Sequence, residues 1–385
     1  MPVRTDPIIA PPEPLAALER VYAAGGETLW FVGGCVRDAI MGIDCADTDL
    51  ATTATPERQI EMCDAAGYRW IGTGIKHGTI TVIAGDVPYE ITTLRRDVST
   101  DGRHAEVEWD TDIASDLARR DLTINAMAMT FDGAIVDPFN GRRDCRNHAI
   151  RFVGDAATRI QEDHLRILRW FRFFGRFGSN GGTPVDDLRV IAEHVHLLDR
   201  ISVERVWSEM GRIITGPSPL NVMGPMIGSG VLKALGLGRG QILRYRAAYD
   251  FTSDPAALLA AWQGGDANAV LNRWKASNAE KDVAAFVASR IQVDYGVAEA
   301  MVDLIDGARR DLVLAILAGR RERDAIAQLE GWTPPSFPLQ GRDLVAAGMT
   351  PGPAIGAMIH DLKAEWIASD FTADRDSLIP SAVSR

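Results

Sequence analysis

The chain has 385 residues, of which 46% are hydrophobic and 24% charged, and its formal net charge is −11. The length predicts two or more domains, and the composition is typical of an ordinary soluble globular protein. No apolar run approaches membrane-spanning length, which argues against a membrane partner. The four cysteines lack paired metal-binding spacing and are typical of reduced thiols in a cytoplasmic protein.

The first predicted strand is followed by a pair of glycines. A proline-rich start and a short helix occupy residues 1–27, and a β-type run covers 28–32. It stops at Gly33-Gly34, after which a helix is predicted from Cys35 to Met41. Glycines without Cβ let backbone N–H groups approach phosphate oxygens, and a helix beginning there points its positive end at the same place. Gly34 and the basic Arg37 are therefore candidate phosphate-binding residues.

Two carboxylates follow at Asp47 and Asp49. If residues 48–51 form a strand, these side chains point to one face, where they repel each other unless a cation lies between them. Mg²⁺ takes carboxylate and phosphate oxygens, so the pattern predicts a polymerase-type metal site. A glycine turn or an Asp-x-Asp pair alone would more often be structural. The glycine turn followed by the Asp-x-Asp pair favours nucleotidyl transfer. A dinucleotide-binding fold is disfavoured because the G-x-G-x-x-G motif is absent.

The rest of the N-terminal half alternates helix and strand signals. Proline at the first helical position predicts a helix over 56–66, and the β-rich runs 79–84 and 87–94 predict a hairpin. Glu90 lies in its second strand. It would complete the metal site or accept the proton of an attacking hydroxyl, unless it is simply an exposed strand residue. Residues 95–112 are polar and are predicted to be an irregular, mobile loop.

The segment from Arg119 to Ala126 is rich in polar side chains. Arg120 has the fork of donors that suits a triphosphate, and Asp121 would accept a hydrogen bond from a ribose hydroxyl. A salt-bridged helix N-terminus is the structural alternative.

From about Arg151 onward the pattern is helical, and residues 151–176 hold six arginines against three carboxylates. One strong helix is predicted over 156–177, on which Asp163 and Arg166 are three residues apart. Together they would form an acceptor–donor surface that pairs with a base edge. Arg169 and Arg172 follow at further steps of three, which drift around an α-helix, so Arg166 is expected at the base and Arg169 or Arg172 nearer phosphate. An ordinary surface ion pair is the alternative, and Glu204 to Glu209 is interpreted as a structural brace behind this helix.

These motifs occur in the order found in the class II tRNA nucleotidyltransferases, the CCA-adding enzymes, which the chain resembles from about Thr28 to Ile214. Weaker matches lie at Gln340–Leu344 and Gly352–Ile359. The resemblance implies an α/β, polymerase-β-like nucleotidyltransferase head (28–150) after an N-terminal segment (1–27). An all-α neck (151–220) and an all-α body and tail (221–385) would follow.

The resemblance also implies residue roles. Mg²⁺ would be held by Asp47 and Asp49, with Glu90 as a third catalytic residue. Nucleotide would be bound by Gly34, Arg37, Arg120, Asp163, Arg166, Arg169 and Arg172. The 95–112 segment matches a flexible loop that helps switch from CTP to ATP.

The implied partners are the tRNA 3′ end, CTP and ATP, with no DNA and no membrane. Bacterial poly(A) polymerase, a CC-only or A-only enzyme, and a non-catalytic RNA-binding protein are the alternatives. The sequence indicates no role for residues 236–265.

Overall fold

The computed structural model describes residues 9–45, 47–100, 105–178 and 184–383, and for 96–107 and 380–383 it describes the backbone alone. The glycine pair at 181–182, which the sequence predicts to form a turn, lies outside these ranges. The chain divides into two compact units: Met1–Glu209 with Gly216–Leu235, and Met210–Thr215 with Gly236–Arg385. None of the described helices has the length and apolarity needed to cross a bilayer.

The first unit contains a seven-stranded mixed sheet in the order β3-β4-β5-β2-β1-β8-β9. The described strands are β1 (Leu29–Val32), β2 (Asp49–Thr52), β3 (Arg69–Ile71), β4 (Thr79–Ala84), β5 (Val87–Thr93), β6 (Arg95–Thr100), β7 (Ala105–Trp109), β8 (Ala128–Met129) and β9 (Ile135–Val136). Strands β2 and β5 are parallel, and Asp49 is the register partner of Glu90. The predicted hairpin is confirmed as β4 and β5, joined through Gly85 and Asp86.

The helices of the first unit surround and follow this sheet. They are α1 (Glu13–Ala24), α2 (Gly34–Met41), α3 (Pro56–Ala66), α4 (Ile113–Ala118), α5 (Gly141–Arg146), α6 (Ala156–Glu162), α7 (Arg166–Phe173), α8 (Val185–His194), α9 (Val203–Ile214), α10 (Pro219–Gly228) and α11 (Val231–Ala234). Helix α9 continues into the second unit. The predicted helices at 35–41 and 56–66 are confirmed, the second with Thr55 as its side-chain N-cap.

Three sequence predictions differ from the structure. Strand β2 begins at Asp49 rather than Thr48, so Asp47 precedes the strand. Segment 95–112 is not irregular, because β6 and β7 pair as an antiparallel two-stranded ribbon. The helix expected over 156–177 is interrupted between α6 and α7, and a π-helical turn, Phe174–Gly178, extends α7.

Buried apolar side chains hold the sheet in place. One cluster contains Trp30, Val32, Ala51, Leu94, Leu117, Ala126, Ala128 and Val153. Its members come from β1, β2, β8 and α4, and from connecting segments at Leu94, Ala126 and Val153. Both the turn before α2 and the 119–125 segment are therefore anchored to one rigid core.

The second unit is helical. Its helices are the end of α9 and α12 (Ile242–Tyr249), α13 (Pro255–Gln263), α14 (Ala267–Arg273), α15 (Asn278–Ile291), α16 (Val297–Ile305), α17 (Arg310–Arg320), α18 (Arg323–Leu329), α19 (Gly341–Ala346), α20 (Pro353–Ala368) and α21 (Arg375–Val383). Tyr245 donates a hydrogen bond of 2.6 Å to the carbonyl of Ile214. Asp303 accepts hydrogen bonds from Arg290 and Tyr295, at 2.8 and 2.7 Å. Residues 236–265 form α12, α13 and their connections.

Candidate active site

The turn between β1 and α2 requires glycine. Gly33 has φ +71°, and a Cβ at this position would lie 2.5 Å from Nη1 of Arg120. Helix α2 begins at Gly34 without a side-chain N-cap, so no side chain occupies the N–H groups of its first turn. An open helix N-terminus of this kind attracts phosphate oxygens.

This turn forms one wall of a cavity of about 460 Å³ within the first unit. The lining residues are Gly33, Gly34, Arg37, Asp49, Arg119, Arg120, Asp121, Asn125, Asp163, Arg166, Arg169 and Phe173. We call it the arginine-lined cavity. It brings together every nucleotide-binding candidate from the sequence except Arg172.

Arg37 is 5% exposed and is held by several partners. It forms an ion pair with Asp38 at 2.8 Å and donates to Oδ1 of Asn125 at 2.6 Å. Its guanidinium also lies 4.4 Å from the centre of the Phe177 ring. These contacts fix the position of its charge at the cavity wall.

One buried carboxylate organises the two neighbouring arginines. Asp116, which is 2% exposed, accepts from Arg119 on Oδ1 at 2.7 Å and from Arg120 on Oδ2 at 3.3 Å. Within the described residues, Nε of Arg120 is buried without a hydrogen-bond partner. Nη1 of Arg120 donates to the carbonyl of Asn125 at 3.4 Å. Because Nη1 and Nη2 each carry two N–H groups, these two described contacts leave each nitrogen with a second donor for a ligand in the cavity.

The prediction that Asp163 and Arg166 share one helix face is wrong. Asp163 ends α6 with extended backbone angles, φ −147° and ψ 106°, and α7 starts at Arg166. Asp163 instead accepts from Nη2 of Arg205 at 3.0 Å, which favours the brace interpretation of the 204–209 segment. Arg166 donates to Glu162 at 2.6 Å and to the carbonyl of Arg119 at 2.9 Å. The two residues still line the same cavity.

Arg169 extends from α7 to the 119–125 segment, where its Nε donates to Asp121 at 2.6 Å. Burial alone would raise the pKa of Asp121. The Arg169 guanidinium and the hydrogen bonds from Arg169, Asn125 and the Leu122 N–H hold that pKa below its ordinary value. Asp121 is therefore ionised and already paired, which differs from the ribose-accepting role considered from the sequence.

Arg172 does not line the arginine-lined cavity. Its Nε donates to Glu209 on α9 at 2.7 Å, which makes Glu209 a second brace contact. Its guanidinium lies 4.3 Å from the centre of the Phe173 ring, and Arg37 and Arg169 lie within 5.7 Å of the same ring. Phe173 is therefore a common aromatic contact for three guanidinium groups.

The carboxylates of Asp47, Asp49 and Glu90 lie near one another where β2 and β5 run side by side. Partial burial raises the pKa of Asp49, Arg120 opposes this shift, and the negative charges of Glu90 and Asp47 raise the pKa further. Across the described ranges, no group of three or more His, Cys, Asp or Glu side chains is arranged to hold a metal ion unaided. Mg²⁺ is usually held by one or two carboxylates together with substrate phosphates, and this donor set fits that chemistry.

Sequence reasoning missed four residues that shape the cavity: Arg119, Asn125, Asp116 and Phe173. Arg119 and Asn125 belong to the same polar segment as Arg120, so their proximity to it was the available signal. Phe173 belongs to an apolar run, a pattern that favours a core residue over a site residue. Asp116 carried no recognisable signal, since its role depends on burial beneath two arginines.

Two family models match parts of the chain. The family model described as the Poly A polymerase head domain matches residues 29–151. A model described as the probable RNA and SrmB- binding site of polymerase A matches residues 188–236.

Similar proteins match nearly the whole chain. The CCA tRNA nucleotidyltransferase 1, mitochondrial, of Mus musculus is 37% identical over 95% of this chain and 89% of its own. The CCA-adding enzyme of Levilactobacillus brevis is 30% identical over 94% and 95%. The Bacillus stearothermophilus CCA-adding enzyme in complex with CTP superposes with a TM-score of 0.76 and 27% identity, over 97% of both chains.

The polymerase-type head with its mixed sheet and the mostly helical remainder agree with these matches. The chain therefore belongs to the family of the CCA-adding tRNA nucleotidyltransferases.

Proposed function

We propose that the protein adds C and A nucleotides to the 3′ end of tRNA, with CTP and ATP as donors and without a nucleic-acid template. The observation that carries this proposal is the arginine-lined cavity, in which phosphate-binding groups and base-reading groups line one space with Asp49 among them. Relatives that match almost the full chain are named for this activity. The alternatives are distinguished by the experiment below.

The triphosphate would be bound by the turn and the arginines around it. Gly34 offers the open N-terminus of α2, the terminal nitrogens of Arg120 each have a second N–H donor, and Arg37 adds a fixed positive charge. Arg169 adds positive charge from α7, while Arg172 contacts Phe173 and would act on the nucleotide through that ring. Charge-assisted contacts of this kind are strong because the donors are already held in place.

Base selection is assigned to Asp163 and Arg166. Each is fixed by a partner, Arg205 for the first and Glu162 for the second. Asp163 would accept from an exocyclic amine and Arg166 would donate to ring or carbonyl acceptors. Cytosine and adenine both present an amine beside a ring nitrogen, so a rigid acceptor–donor pair suits both.

Membership of a nucleotidyltransferase family implies a divalent cation, and we propose Mg²⁺ held by Asp47 and Asp49. Burial raises the pKa of Asp49, and the negative charges of Glu90 and Asp47 raise it further. A cation would relieve that repulsion, which supports this assignment. When bound, the cation would stabilise negative charge on the phosphate oxygens. The acceptor 3′-oxygen forms a bond to the α-phosphorus, the bond to the β-phosphate breaks, and pyrophosphate leaves. Glu90 would accept the hydroxyl proton.

We also propose the division into a head at 28–150, a neck at 151–220, and a body and tail at 221–385 that bind tRNA, after the N-terminal segment 1–27. The family-model match at 29–151 supports the head boundary. A cytoplasmic location is proposed as well, supported by four cysteines that are all free thiols.

The decisive experiment offers tRNAs that end before CCA, after CC, and with CCA intact, each with one labelled nucleotide at a time. We expect C on the first substrate, A on the second, and neither on the third. Repeated A addition to unrelated RNA would indicate a poly(A) polymerase, and a missing C or A step would indicate a partial enzyme.

Asp49→Asn tests the metal assignment. The rate should fall about a thousandfold, which corresponds to about 4 kcal/mol of transition-state stabilisation, with little change in tRNA affinity. Asp86→Asn is the matched control, because Asp86 is an exposed carboxylate in the turn of the β4–β5 hairpin. Near-normal turnover of Asp49→Asn with Mg²⁺ present would contradict the assignment.

A further inference from the structure

The second unit contains a cavity of about 650 Å³, formed by α12, α17, α18 and the residues that follow α12 and α17. We call it the α12–α18 cavity. All of its lining residues lie after Gly236, whereas those of the arginine-lined cavity belong to the first unit. Its apolar walls are formed by Leu243, Ala247, Phe251, Ala318 and Ile326.

The apolar wall on α12 is open to water. Leu243 is 66% exposed, and its neighbour Ile242 is 43% exposed. Covering such surface with an apolar group is favourable, because water is released from both. Small-molecule sites are concave and mostly apolar, have volumes of about 300–1,000 Å³, and contain a few polar groups that orient the ligand. The α12–α18 cavity has the size and the walls of such a site.

Two arginines supply the polar groups. Arg321 follows α17 and Arg323 begins α18, and both line the cavity. The Arg323 N–H donates to the Arg321 carbonyl at 3.0 Å, a tight turn that keeps the two residues together. Among the residues that the structure describes, neither guanidinium group has a hydrogen-bond or ion-pair partner. Asp250, the acidic residue of the lining, is already paired with Arg246, so the two arginine charges remain for an anion.

The backbone of Arg321 supports a role for its side chain. Its φ of +71° and ψ of 26° lie in the left-handed region. The N–H groups of Arg321 and Glu322 donate to the carbonyls of Ala318 and Leu317, at 3.0 and 2.9 Å, which is the helix ending at which glycine is the usual residue. Any residue with a Cβ is strained there, so arginine occupies this position at a cost in stability. Such a cost is expected where a side chain serves binding.

We propose that the α12–α18 cavity binds a small amphipathic anion, an organic molecule with an apolar ring system and a carboxylate or phosphate ester group. The apolar walls would hold the ring system, and Arg321 and Arg323 would pair with the anionic group. A bare phosphate would leave the apolar walls uncovered, and an uncharged molecule would leave both arginines without a partner. The site goes beyond the proposed function, because none of its lining residues belongs to the nucleotide-binding cavity.

Calorimetry on the full chain with four probes tests this ligand chemistry. The probes are naphthoate, naphthyl phosphate, uncharged naphthalenemethanol and inorganic phosphate. We expect the first two to bind at least about tenfold more tightly than the last two, and the tighter of the two shows whether the site prefers a carboxylate or a phosphate ester. If inorganic phosphate binds as tightly as naphthyl phosphate, the arginines hold bare phosphate, as an RNA backbone would supply, and the proposal fails. Equal binding of naphthalenemethanol and naphthoate would also overturn it.

Arg321→Gly locates the site. This variant should raise the naphthoate Kd about tenfold, because one charged contact is lost. Its midpoint in denaturant titrations should be no lower than that of the unmodified chain, because glycine adopts positive φ without strain. Lys275→Gly is the matched control, since Lys275 is also a basic residue of the second unit with positive φ, +52°, and does not line the cavity. The control should leave the naphthoate Kd unchanged.

Leu243→Ser tests the apolar wall without disturbing the core, because Leu243 is largely exposed. It should raise the Kd of both naphthyl anions about fivefold and leave inorganic phosphate binding unchanged. An unchanged naphthoate Kd in Arg321→Gly or in Leu243→Ser would overturn the proposal, as would an equal rise in Lys275→Gly. A lower unfolding midpoint in Arg321→Gly would also overturn it, because the arginine would then serve the fold.

Discussion

Replacing Gly33 with alanine tests the link between the turn and Arg120. The backbone at Gly33 has φ +71° and ψ −120°, a conformation that costs an L-residue about 1–3 kcal/mol. The new Cβ would also lie 2.5 Å from Nη1 of Arg120, so the guanidinium must move. A charged hydrogen bond to phosphate is worth about 1.5–3 kcal/mol, so its loss should raise the CTP Kd roughly 10- to 100-fold.

The matched control is Gly42→Ala, at the other end of α2. Gly42 has φ +68°, but no described atom lies within 4 Å of the place that a Cβ would occupy there. Both variants should lose stability in denaturant titrations, the control by about 1 kcal/mol. Calorimetry should show weaker CTP binding only for Gly33→Ala. If both variants bind CTP equally well, Arg120 does not act on the nucleotide from its place over the turn.

Three further predictions concern single side chains. Phe173→Leu should raise the CTP Kd about tenfold in calorimetry, because the Phe173 ring faces three guanidinium groups. The control Phe174→Leu should lower stability without changing CTP affinity. Equal CTP affinities of the two variants would show that the Phe173 ring contributes only to packing. Asp121→Asn should cost about 2 kcal/mol of unfolding free energy at neutral pH, because Arg169 loses its charged partner. Since folding lowers the pKa of Asp121, this stabilisation is present above about pH 4 and should be lost as the pH falls further. If the difference in unfolding free energy between the unmodified chain and Asp121→Asn stays constant down to about pH 3, the ion-pair argument is contradicted. Asp303→Ala should lower the unfolding free energy of the second unit by about 2 kcal/mol. Asp303→Asn should lower it by less, because the amide oxygen still accepts a hydrogen bond. Equal losses in the two variants would show that the hydrogen bonds are not the cause.

Local patterns predicted much of the head. The glycine pair, the cap and proline at 55–56, and the β-rich hairpin each depend on nearby residues, and each is found at or near its predicted position. The parallel pairing that sets Asp49 beside Glu90 depends on sheet order, which local sequence does not specify. Glu90 was nevertheless a candidate, because its position in a strand near the acidic pair was visible.

The break between α6 and α7 illustrates what local patterns miss. Apolar residues continue at helical spacing through residues 156–177, so periodicity predicts one helix. The extended backbone at Asp163 accompanies contacts from Arg205, 42 residues later in the chain, and from the Leu165 N–H. The many polar residues of segment 95–112 likewise predict an irregular loop, whereas ribbon pairing needs backbone groups rather than apolar side chains.

The contacts of α6 and α7 with the 118–121 segment affect the order of folding. Arg159 donates to the carbonyl of Ala118 and Arg166 to that of Arg119, across 41 and 47 residues of sequence. Arg169 reaches Asp121 across 48 residues. Synthesis at about 5–20 residues per second brings the segment that carries Arg120 out of the ribosome a few seconds before these arginines. The sheet can therefore form first, whereas one wall of the arginine-lined cavity acquires its final position only when the later helices dock.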